Sequence, residues 1–583
     1  MNSTIREAPF GQLVRYFTKN KYFQYPEESP DFQLPEVWIQ SMNEPSEKQE
    51  EAQRQNSERI SRITTQNSNT LSSTESRLEA DEQHELEKIK SIPITPKKTR
   101  DGAILVDWYY TDDSENPHNW SNLRRGMVAL IICLYTFVVY TTSAIYTSSE
   151  QGIMEEFGVG TVLATLGLSL YVLGYGTGPL IFSPLSEIPI IGRNPVYIVT
   201  MFLFVIISIP TALVGNFPGL MVLRFLQGFF GSPCLASGGA SLGDMYSLLS
   251  LPYVMMAWVS AAYCGPALGP LLSGFSVPAE TWRWSLFESI WASAPVLIVM
   301  FFFLPETSTA TILLRRAQRL RRIFNDDRFQ SQSEIDQKNM KVSEIAIDAL
   351  IKPLEIAIKD PAVFFVTIYC GIIYAIYYSF FEVFPLVYPT YYGMTLGEIG
   401  LVFLCIMVSC LIAVAIYWSY IFFYANPRII KFGLGPQEER LIPALIASFG
   451  PPIGLFLFAW TSRASIHWIV PTIGITIYAG SVFIVMQVLF IYIPLSYPMY
   501  AASLFAANDF CRSALACGSV LFAHPLFGNL GIARGTSLLG GLSVTGIIGI
   551  WLLYYYGAKL RSMSKFAVSS EAEEVSVSEG TLA

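Results

Sequence analysis

The sequence is poor in charge for its length: Asp, Glu, Lys and Arg make up 14% of the 583 residues, whereas hydrophobic residues make up 52%. A soluble protein of this size needs more charge on its surface, so a water-soluble globular fold is excluded. The formal net charge of −8 describes two polar tails, around Glu44–Glu87 and Glu571–Glu579, where the acidic residues concentrate. The charge therefore indicates no extended binding surface, and we predict no nucleic-acid partner.

The sequence also lacks the residue patterns of ATP-driven pumps and metalloproteases. It contains no Gly-x-x-x-x-Gly-Lys-Ser/Thr loop, and its four histidines form no His-Glu-x-x-His pattern. The eight cysteines all lie in apolar segments, so we expect free, buried thiols rather than disulfides or a metal cluster. We predict no enzymatic activity, no cofactor and no metal, and transport would draw on an ion gradient.

Long apolar segments dominate the chain after residue 123, and a bilayer span needs about 20 such residues. We predict spans near residues 126–148, 161–184, 195–214, 217–239, 253–275, 284–304, 361–384, 396–418, 440–461, 468–491, 499–523 and 535–556. The one long break, residues 305–360, carries the densest basic cluster and divides the spans six and six. This pattern predicts an all-α membrane protein with bundles at 124–304 and 361–557.

The flanking regions are polar. Residues 1–123 include a Ser/Thr/Asn/Gln/Glu-rich stretch to about Arg100 that has few aromatic residues, so we predict a largely disordered N-terminal region and a short tail at 558–583. Lys and Arg fall mainly on the side of these regions and of the 305–360 loop. Because cytosolic loops are enriched in Lys and Arg, we predict that both termini and the loop are cytosolic.

Arg224 lies inside the fourth apolar segment, where an unpaired charge is costly and usually faces the interior of a helix bundle. Gln227, Gly228 and Gly231 follow it at helical spacing and share its face. A fixed positive charge there would bias the proton affinity of a neighbouring carboxylate. The alternative is a structural arginine that reaches toward a membrane interface.

Small residues recur every four positions in the fifth segment, from Ala257 to Ser273, and predict a ridge against which another helix packs closely. Pro266 and Pro270 interrupt the same helix and favour kinks. The second segment ends in Gly178-Pro179 and Ser183–Glu187, followed by Gly192-Arg193. An acid and an arginine at one turn could form an ion pair in only one conformation.

The second half offers candidate substrate contacts. Glu382 follows Phe381 near the predicted outer end of the seventh segment, and is either a cavity acid or an outer-loop residue. Asp509 and Arg512 lie three positions apart in the eleventh segment and form either a substrate contact or a static pair. Aromatic residues here would suit flat apolar or cationic molecules if they line a cavity, and would otherwise face lipid.

These motifs resemble a known family. Leu223–Gly228 resembles the fourth-span motif of the major facilitator superfamily, whose arginine is implicated in proton coupling. Ala262–Pro270 resembles the fifth-span antiporter motif, and Gly178–Arg193 resembles the loop between spans two and three. The resemblance covers essentially everything after residue 104 and is nearest to the fungal twelve-span drug:proton antiporters, in the branch associated with benomyl and fluconazole resistance.

The resemblance implies the major facilitator fold, two six-helix bundles around a central cavity, and proton-coupled export of hydrophobic or cationic toxic compounds by alternating access. We assign proton coupling to Arg224 and Gln227. We assign conformational roles to Gly265, Pro266, Gly269, Pro270, Gly178, Glu187 and Arg193. We assign substrate contacts to Tyr378, Phe381, Glu382, Phe384, Asn508, Asp509 and Arg512.

We expect a lipid-embedded, multi-pass monomer in the plasma membrane. Two other functions stay open, because a fold does not set the direction of transport. One is proton-coupled uptake of a small nutrient, and the other is a membrane receptor that binds a nutrient without transporting it.

Overall fold

A computed structural model describes residues 2–43, 91–99, 102–337, 351, 355–433, 435–496 and 501–562. The predicted disordered stretch between residue 44 and residue 100 falls mostly outside this range, as does the tail from residue 563 onward. In the described part of the chain, twelve helices are long and apolar enough to cross a membrane, as the sequence predicted. Spans 1 to 12 run over Asn122–Phe157, Thr161–Glu187, Arg193–Leu213, Phe217–Gly243, Leu251–Ala279, Trp284–Phe303, Pro361–Tyr392, Leu396–Phe432, Gln437–Thr461, Ile469–Ile493, Leu504–Leu530 and Ile532–Arg561.

Several spans are interrupted, and others extend beyond their apolar core. Their helical pieces are Asn122–Ala144, Thr147–Ser149 and Glu150–Phe157 in span 1, Thr161–Ala164 and Leu166–Glu187 in span 2, Phe217–Gly231 and Pro233–Gly243 in span 4, Leu396–Tyr420, Ile421–Ala425 and Asn426–Phe432 in span 8, and Gln437–Leu441, Ile442–Ala447 and Gly450–Thr461 in span 9. The helices of spans 10 to 12 run over Ile469–Ser496, Ala501–Leu530 and Ile532–Ser562. Span 8 is longer than the predicted 396–418 because a π-helical turn at Ile421–Ala425 joins its first helix to the helix Asn426–Phe432.

Close helix packing builds the first bundle. A Cβ atom added to Gly265 would lie 2.7 Å from the carbonyl oxygen of Phe137, and one added to Gly269 would lie 2.7 Å from the amide nitrogen of Ile145. Span 5 therefore contacts the backbone of span 1 directly, as the small-residue ridge predicted. Gly178 contacts span 4 in the same way, at Ser232.

The two bundles meet along two pairs of helices, span 2 with span 11 and span 5 with span 8. Pro270 and Gly274 of span 5 pack against the start of span 8, where a Cβ on Gly400 would lie 2.7 Å from the carbonyl oxygen of Pro270. The fifth-span Gly/Pro segment thus contacts both bundles. Spans 1 and 7 face each other across the centre.

Shorter elements lie outside the spans, and most of them gather where the linker between the bundles begins. The helices are Asn2–Glu7, Pro9–Phe17, Pro26–Glu28, Glu36–Asn43, Pro117–Asn119, Thr309–Phe324 and Gln332–Gln337, and the strands are Ile104–Leu105 and Phe329–Gln330. The two strands pair in parallel. We call Thr309–Phe324 the linker helix, and the membrane side on which it lies the linker side; the opposite side is the far side.

The linker helix packs against the N-terminal region through a small apolar core that includes Trp38, Tyr109 and Leu320. Arg316 and Arg319 of this helix are buried and contact Glu27, Asp113 and Glu115 at 2.7–3.4 Å. The described parts of residues 2–121 therefore fold against the linker. The sequence of this region, which predicts a largely disordered segment, gives no local signal for these contacts.

Candidate functional site

A cavity lies between the two bundles, with an empty volume of about 600 Å³. Its wall is mainly aromatic and apolar, and it includes Asp509 and Arg512 of span 11 as charged residues. The lining residues are Tyr140, Leu235, Trp258, Val259, Ala262, Tyr263, Pro266, Tyr374, Tyr377, Met486, Phe490, Phe505, Asp509 and Arg512.

Asp509 and Arg512 form an ion pair in the cavity wall, and the exposed fractions of their side chains are 6% and 8%. The guanidinium of Arg512 also lies 4.4 Å from the ring centroid of Tyr374 and donates to the hydroxyl of Tyr140 at 3.5 Å. Tyr140 belongs to the first bundle and Arg512 to the second. The pair therefore lines the cavity and contacts residues of both bundles.

Asn508 is also buried, and its Oδ1 atom has no hydrogen-bond partner within the described part of the chain. Its side chain lies near the thiol of Cys370 on span 7. It lies beside the cavity wall and is absent from the lining residues themselves.

A cluster of tyrosine hydroxyl groups closes the centre of the interface. The hydroxyl of Tyr175 on span 2 lies 2.5 Å from that of Tyr374 and 2.9 Å from that of Tyr378, both on span 7. Ser143 of span 1 lies 3.3 Å from the hydroxyl of Tyr378. We call Ser143, Tyr175, Tyr374 and Tyr378 the tyrosine cluster. Tyr378 thus joins the bundles next to the cavity.

Phe381 and Phe384, predicted substrate contacts, pack within the second bundle. The ring of Phe381 stacks on that of Phe403 with centroids 5.1 Å apart, and Phe384 lies 4.6 Å from the same ring. Phe384 also contacts Phe458 of span 9. Neither residue lines the described cavity, because their side chains fill the space between spans 7, 8 and 9.

Glu382 lies one helical turn beyond Tyr378, toward the far side. It belongs to the helix Pro361–Tyr392 and is 2% exposed, so the outer-loop alternative is wrong. Its Oε2 atom lies 3.4 Å from Nε2 of His524 on span 11. Glu150 of the first bundle is close enough to repel it electrostatically. We call Glu150, Glu382 and His524 the acid site.

Sequence analysis did not assign Glu150 or His524, because both fall just outside the apolar lengths predicted for spans 1 and 11. One carboxylate oxygen of Glu150 and one of Glu382 are buried without a hydrogen-bond partner among the described residues. A buried carboxylate has to be neutralised by a proton or a cation. The acid site is therefore suited to taking up a proton.

Arg224 is fully buried and its donors are satisfied without a carboxylate among the described residues. Its guanidinium donates to the carbonyl oxygens of Gly167, Thr142 and Ser143 at 3.1–3.2 Å and to Oε1 of Gln227 at 3.0 Å. The structure thus contradicts the alternative of an arginine that reaches toward a membrane interface.

Two tyrosine rings sandwich the same guanidinium, that of Tyr146 at 4.8 Å and that of Tyr171 at 4.5 Å. Tyr146 is also close enough to Glu150 and Glu382 to interact with them electrostatically. Tyr146 is therefore near both the guanidinium of Arg224 and the carboxylates of the acid site. Gln227 in turn donates to Ser208 of span 3 at 2.7 Å, which fixes the pair within the first bundle.

Glu187 and Arg193, which we expect to pair in only one conformation, are not paired in this structure. Arg193 contacts Asp244 at 3.2 Å, and its backbone N–H donates to Oε1 of Glu306 at 3.2 Å, whereas Glu187 is exposed. Gly192 has φ +79°, and a Cβ there would collide with the carboxylate of Glu306. The carboxylate of Glu306, which follows span 6, caps the N-terminus of span 3. It accepts hydrogen bonds from the free backbone N–H groups at the start of that helix.

A Gly-x-Ser-x-Gly sequence, the pattern of serine hydrolases, occurs at residues 239–243. It lies in the helix Pro233–Gly243, where Ser241 lies 2.8 Å from the hydroxyl of Tyr197. The hydrolase motif requires a strand, a sharp turn and then a helix. This match therefore gives no support for an enzyme.

Comparison with known proteins bears on this architecture. The family model described as Major Facilitator Superfamily matches residues 132–520. The chain is 47% identical to the MFS-type transporter pyvG of Aspergillus violaceofuscus, over 81% of this chain and 87% of that protein. It is 40% identical to fluconazole resistance protein 1 of Saccharomyces cerevisiae, over 80% and 86%. It is 35% identical to the cycloheximide resistance protein of Candida maltosa, over 97% and 100%.

Solved structures share the fold at low sequence identity. The human organic anion transporter MFSD10 superposes with a TM-score of 0.52 at 15% identity, over 73% of this chain and 99% of that one. The xylose transporter XylE from E. coli, in a partially occluded inward open conformation, gives 0.51 at 13%, over 75% and 98%. The family and the fold point to a transporter rather than an enzyme.

Proposed function

The chain belongs to the major facilitator superfamily, and from that premise we propose that it is a proton-coupled multidrug efflux transporter. It exports hydrophobic or cationic toxic compounds, such as antifungals, by alternating access. Its relatives include a fluconazole resistance protein and a cycloheximide resistance protein. These relatives support drug export, and two buried sites in the structure support proton coupling and the substrate class.

The acid site is the observation that carries the proton-coupling proposal. Glu150 and Glu382 come from different bundles, so neutralising one of them weakens a repulsion across the bundle interface. We propose that Glu382 binds the proton that drives transport and that His524 exchanges it with the far side. Arg224 and Gln227 position Tyr146 against this site. They therefore influence proton binding by Glu382 indirectly, through Tyr146.

The cavity supports the substrate class. Aromatic rings from both bundles offer stacking surfaces and cation–π contacts to flat or cationic molecules. Arg512 neutralises Asp509 in the empty cavity, and a cationic substrate would compete with the arginine for that carboxylate. We propose Asp509, Arg512 and Tyr374 as substrate contacts, with Asn508 and Tyr378 supporting them from beside the wall.

We also propose a membrane location, an oligomeric state and an orientation for the chain. The chain is a multi-pass integral membrane protein, and we propose that it works as a monomer in the plasma membrane with both termini cytosolic. The basic residues on the linker side support that orientation. We also propose that the Gly265–Pro270 segment, which contacts span 1 and span 8, serves as the bending region when the bundles rock.

The experiment uses the purified full-length protein in liposomes with an imposed pH gradient and a fluorescent cationic dye. The wild-type protein should extrude dye against its gradient, and a protonophore should abolish this. Glu382→Gln, which mimics the protonated acid, should lose pH-driven extrusion but keep dye counterflow, because exchange requires no net proton movement. Glu280→Gln, at an exposed position on the far side, is the matched control and should retain both activities.

Each alternative outcome is distinct. Full pH-driven extrusion by Glu382→Gln would show that the driving proton does not bind at the acid site. Wild-type activity that ignores a protonophore would refute proton coupling. Dye movement only in the direction of the protons would favour nutrient uptake, and binding without counterflow would favour a receptor.

A further inference from the structure

A second cavity lies at the linker-side ends of spans 8, 9 and 10, away from the central cavity and the acid site. Its empty volume is about 650 Å³, and its walls include Tyr417, Tyr420 and Ile421 of span 8 and Ile491 of span 10. The π-helical turn Ile421–Ala425 forms part of the wall. Such turns add a residue to a helix and occur frequently at functional sites.

Arg440 lines this cavity, and no described residue forms an ion pair with it. Its Nε and Nη2 atoms are buried, and no described residue offers either of them a hydrogen-bond acceptor. The two neighbouring carboxylates are already engaged: Glu439 contacts Arg428 at 2.6 Å, and Glu438 contacts Arg561 at 2.8 Å. A buried donor without a partner costs free energy, and a buried charge costs more.

The net positive charge of the side chains around the cavity favours binding of an anion. Arg428 and Glu439 neutralise each other, which leaves the positive charge of Arg440 in an aromatic pocket. A guanidinium offers a planar fork of N–H donors that matches a phosphate group. Basic pockets between membrane helices at the level of the headgroups bind anionic lipids in this way.

The surface next to the cavity indicates that the phosphate belongs to a lipid. Span 8 exposes Phe422, Phe423 and Ile430 by 50%, 72% and 68% along the same segment. These exposed apolar side chains lie at the linker-side end of a membrane-spanning helix, where they suit contact with lipid. Lys431, also exposed, adds a second positive charge near this surface.

We propose that this cavity binds the phosphate of an anionic phospholipid through Arg440, while the acyl chains lie along Phe422 and Phe423. The proposal is independent of the transported compound and of proton coupling. Free phosphate offers the same headgroup chemistry without the chains, so the test has to separate the two sources.

The test measures lipid retention by native mass spectrometry of the full-length protein released from phosphatidylcholine nanodiscs with and without phosphatidylglycerol. The wild-type protein should retain phosphatidylglycerol in preference to phosphatidylcholine. Arg440→Gln should weaken that preference by about tenfold, the effect expected for one charge-assisted contact. Arg463→Gln, an exposed arginine on the far side, is the matched control and should behave as wild type.

Two further arms keep the proposal falsifiable. If Arg440→Gln fails to fold, the wild-type protein still decides, since equal retention of both lipids would overturn the site. Inorganic phosphate alone should not displace bound phosphatidylglycerol. If it does so at millimolar concentration, the cavity holds a soluble phosphate and the lipid assignment is wrong.

Discussion

Arg316 of the linker helix is the residue whose loss should most clearly release the N-terminal region. Its side chain is 1% exposed and contacts Glu27 at 3.2 Å, Asp113 at 2.7 Å and Glu115 at 3.0 Å. Arg316→Gln would leave Glu27 and Glu115 in contact with Arg319, and Glu115 also with Arg6, whereas Asp113 would lose the arginine that it contacts in the described structure. Removing one partner of a buried ion pair costs about 3–5 kcal/mol. The equilibrium for detachment should therefore rise by two to four orders of magnitude, at about 1.4 kcal/mol per tenfold.

Hydrogen–deuterium exchange of the full-length protein in nanodiscs measures this detachment directly. Peptides covering residues 102–121 and the linker helix should exchange much faster in Arg316→Gln than in the wild type. Arg328→Gln is the matched control, because the side chain of Arg328 is 53% exposed and its pair with Asp326 is worth about 0–1 kcal/mol. Equal exchange in both variants would refute the reasoning, since the buried carboxylates would then need no arginine.

The same contacts predict a pH dependence. Arg316 lowers the pKa of Asp113 despite the opposing effect of burial, and Arg15 lowers the pKa of Glu28. A carboxyl group whose pKa is lower when folded stabilises the folded state above its unfolded pKa, near 4, and loses that contribution as the pH falls. Exchange in residues 102–121, expressed relative to the intrinsic exchange rate at each pH, should thus rise as the pH drops below about 4, and Asp113→Asn should remove part of that rise.

Two other predictions concern the bundle interface. Arg512→Gln should free the carboxylate of Asp509 and improve binding of cationic over neutral dyes by about tenfold, whereas Asp509→Asn should do the reverse; competition binding measures both, and unchanged selectivity would place the substrate elsewhere. The thiol of Cys264 on span 5 contacts that of Cys410 on span 8, so copper phenanthroline should cross-link the bundles and stop dye transport. Cys410→Ser should resist this inactivation, and loss of transport in that variant as well would point to another thiol.

Sequence reasoning was most successful where the physical signal is local. Twelve apolar segments follow from length and composition, and the burial of Arg224 follows from the cost of a charge in lipid. The close approach of Gly265 and Gly269 to span 1 follows from their spacing on one helix face. None of these predictions requires knowledge of the partner helix.

The sequence predictions differ from the structure where contacts with another helix determine the position of a side chain. Phe384 turns toward Phe403 and Phe458 rather than the cavity, and a helix that is apolar on all sides carries no signal that fixes its rotation. Arg193 pairs with Asp244 from a distant segment rather than with the nearby Glu187. The acid site was missed for a related reason, since Glu150 and His524 lie where helices continue past their apolar lengths.

The positions of the two sites constrain how transport could be coupled. Asp509 and Arg512 lie near the linker-side end of span 11, whereas Glu382 lies beyond Tyr378 toward the far side, so the tyrosine cluster stands between substrate and proton. In the proposed mechanism the two do not compete for one carboxylate. Protonating Glu382 instead removes a repulsion between the bundles, and the hydroxyl contacts of Tyr175 with Tyr374 and Tyr378 have to break when the bundles separate there. Coupling would then reside in the interface itself, because both the acid site and the tyrosine cluster are built from residues of both bundles.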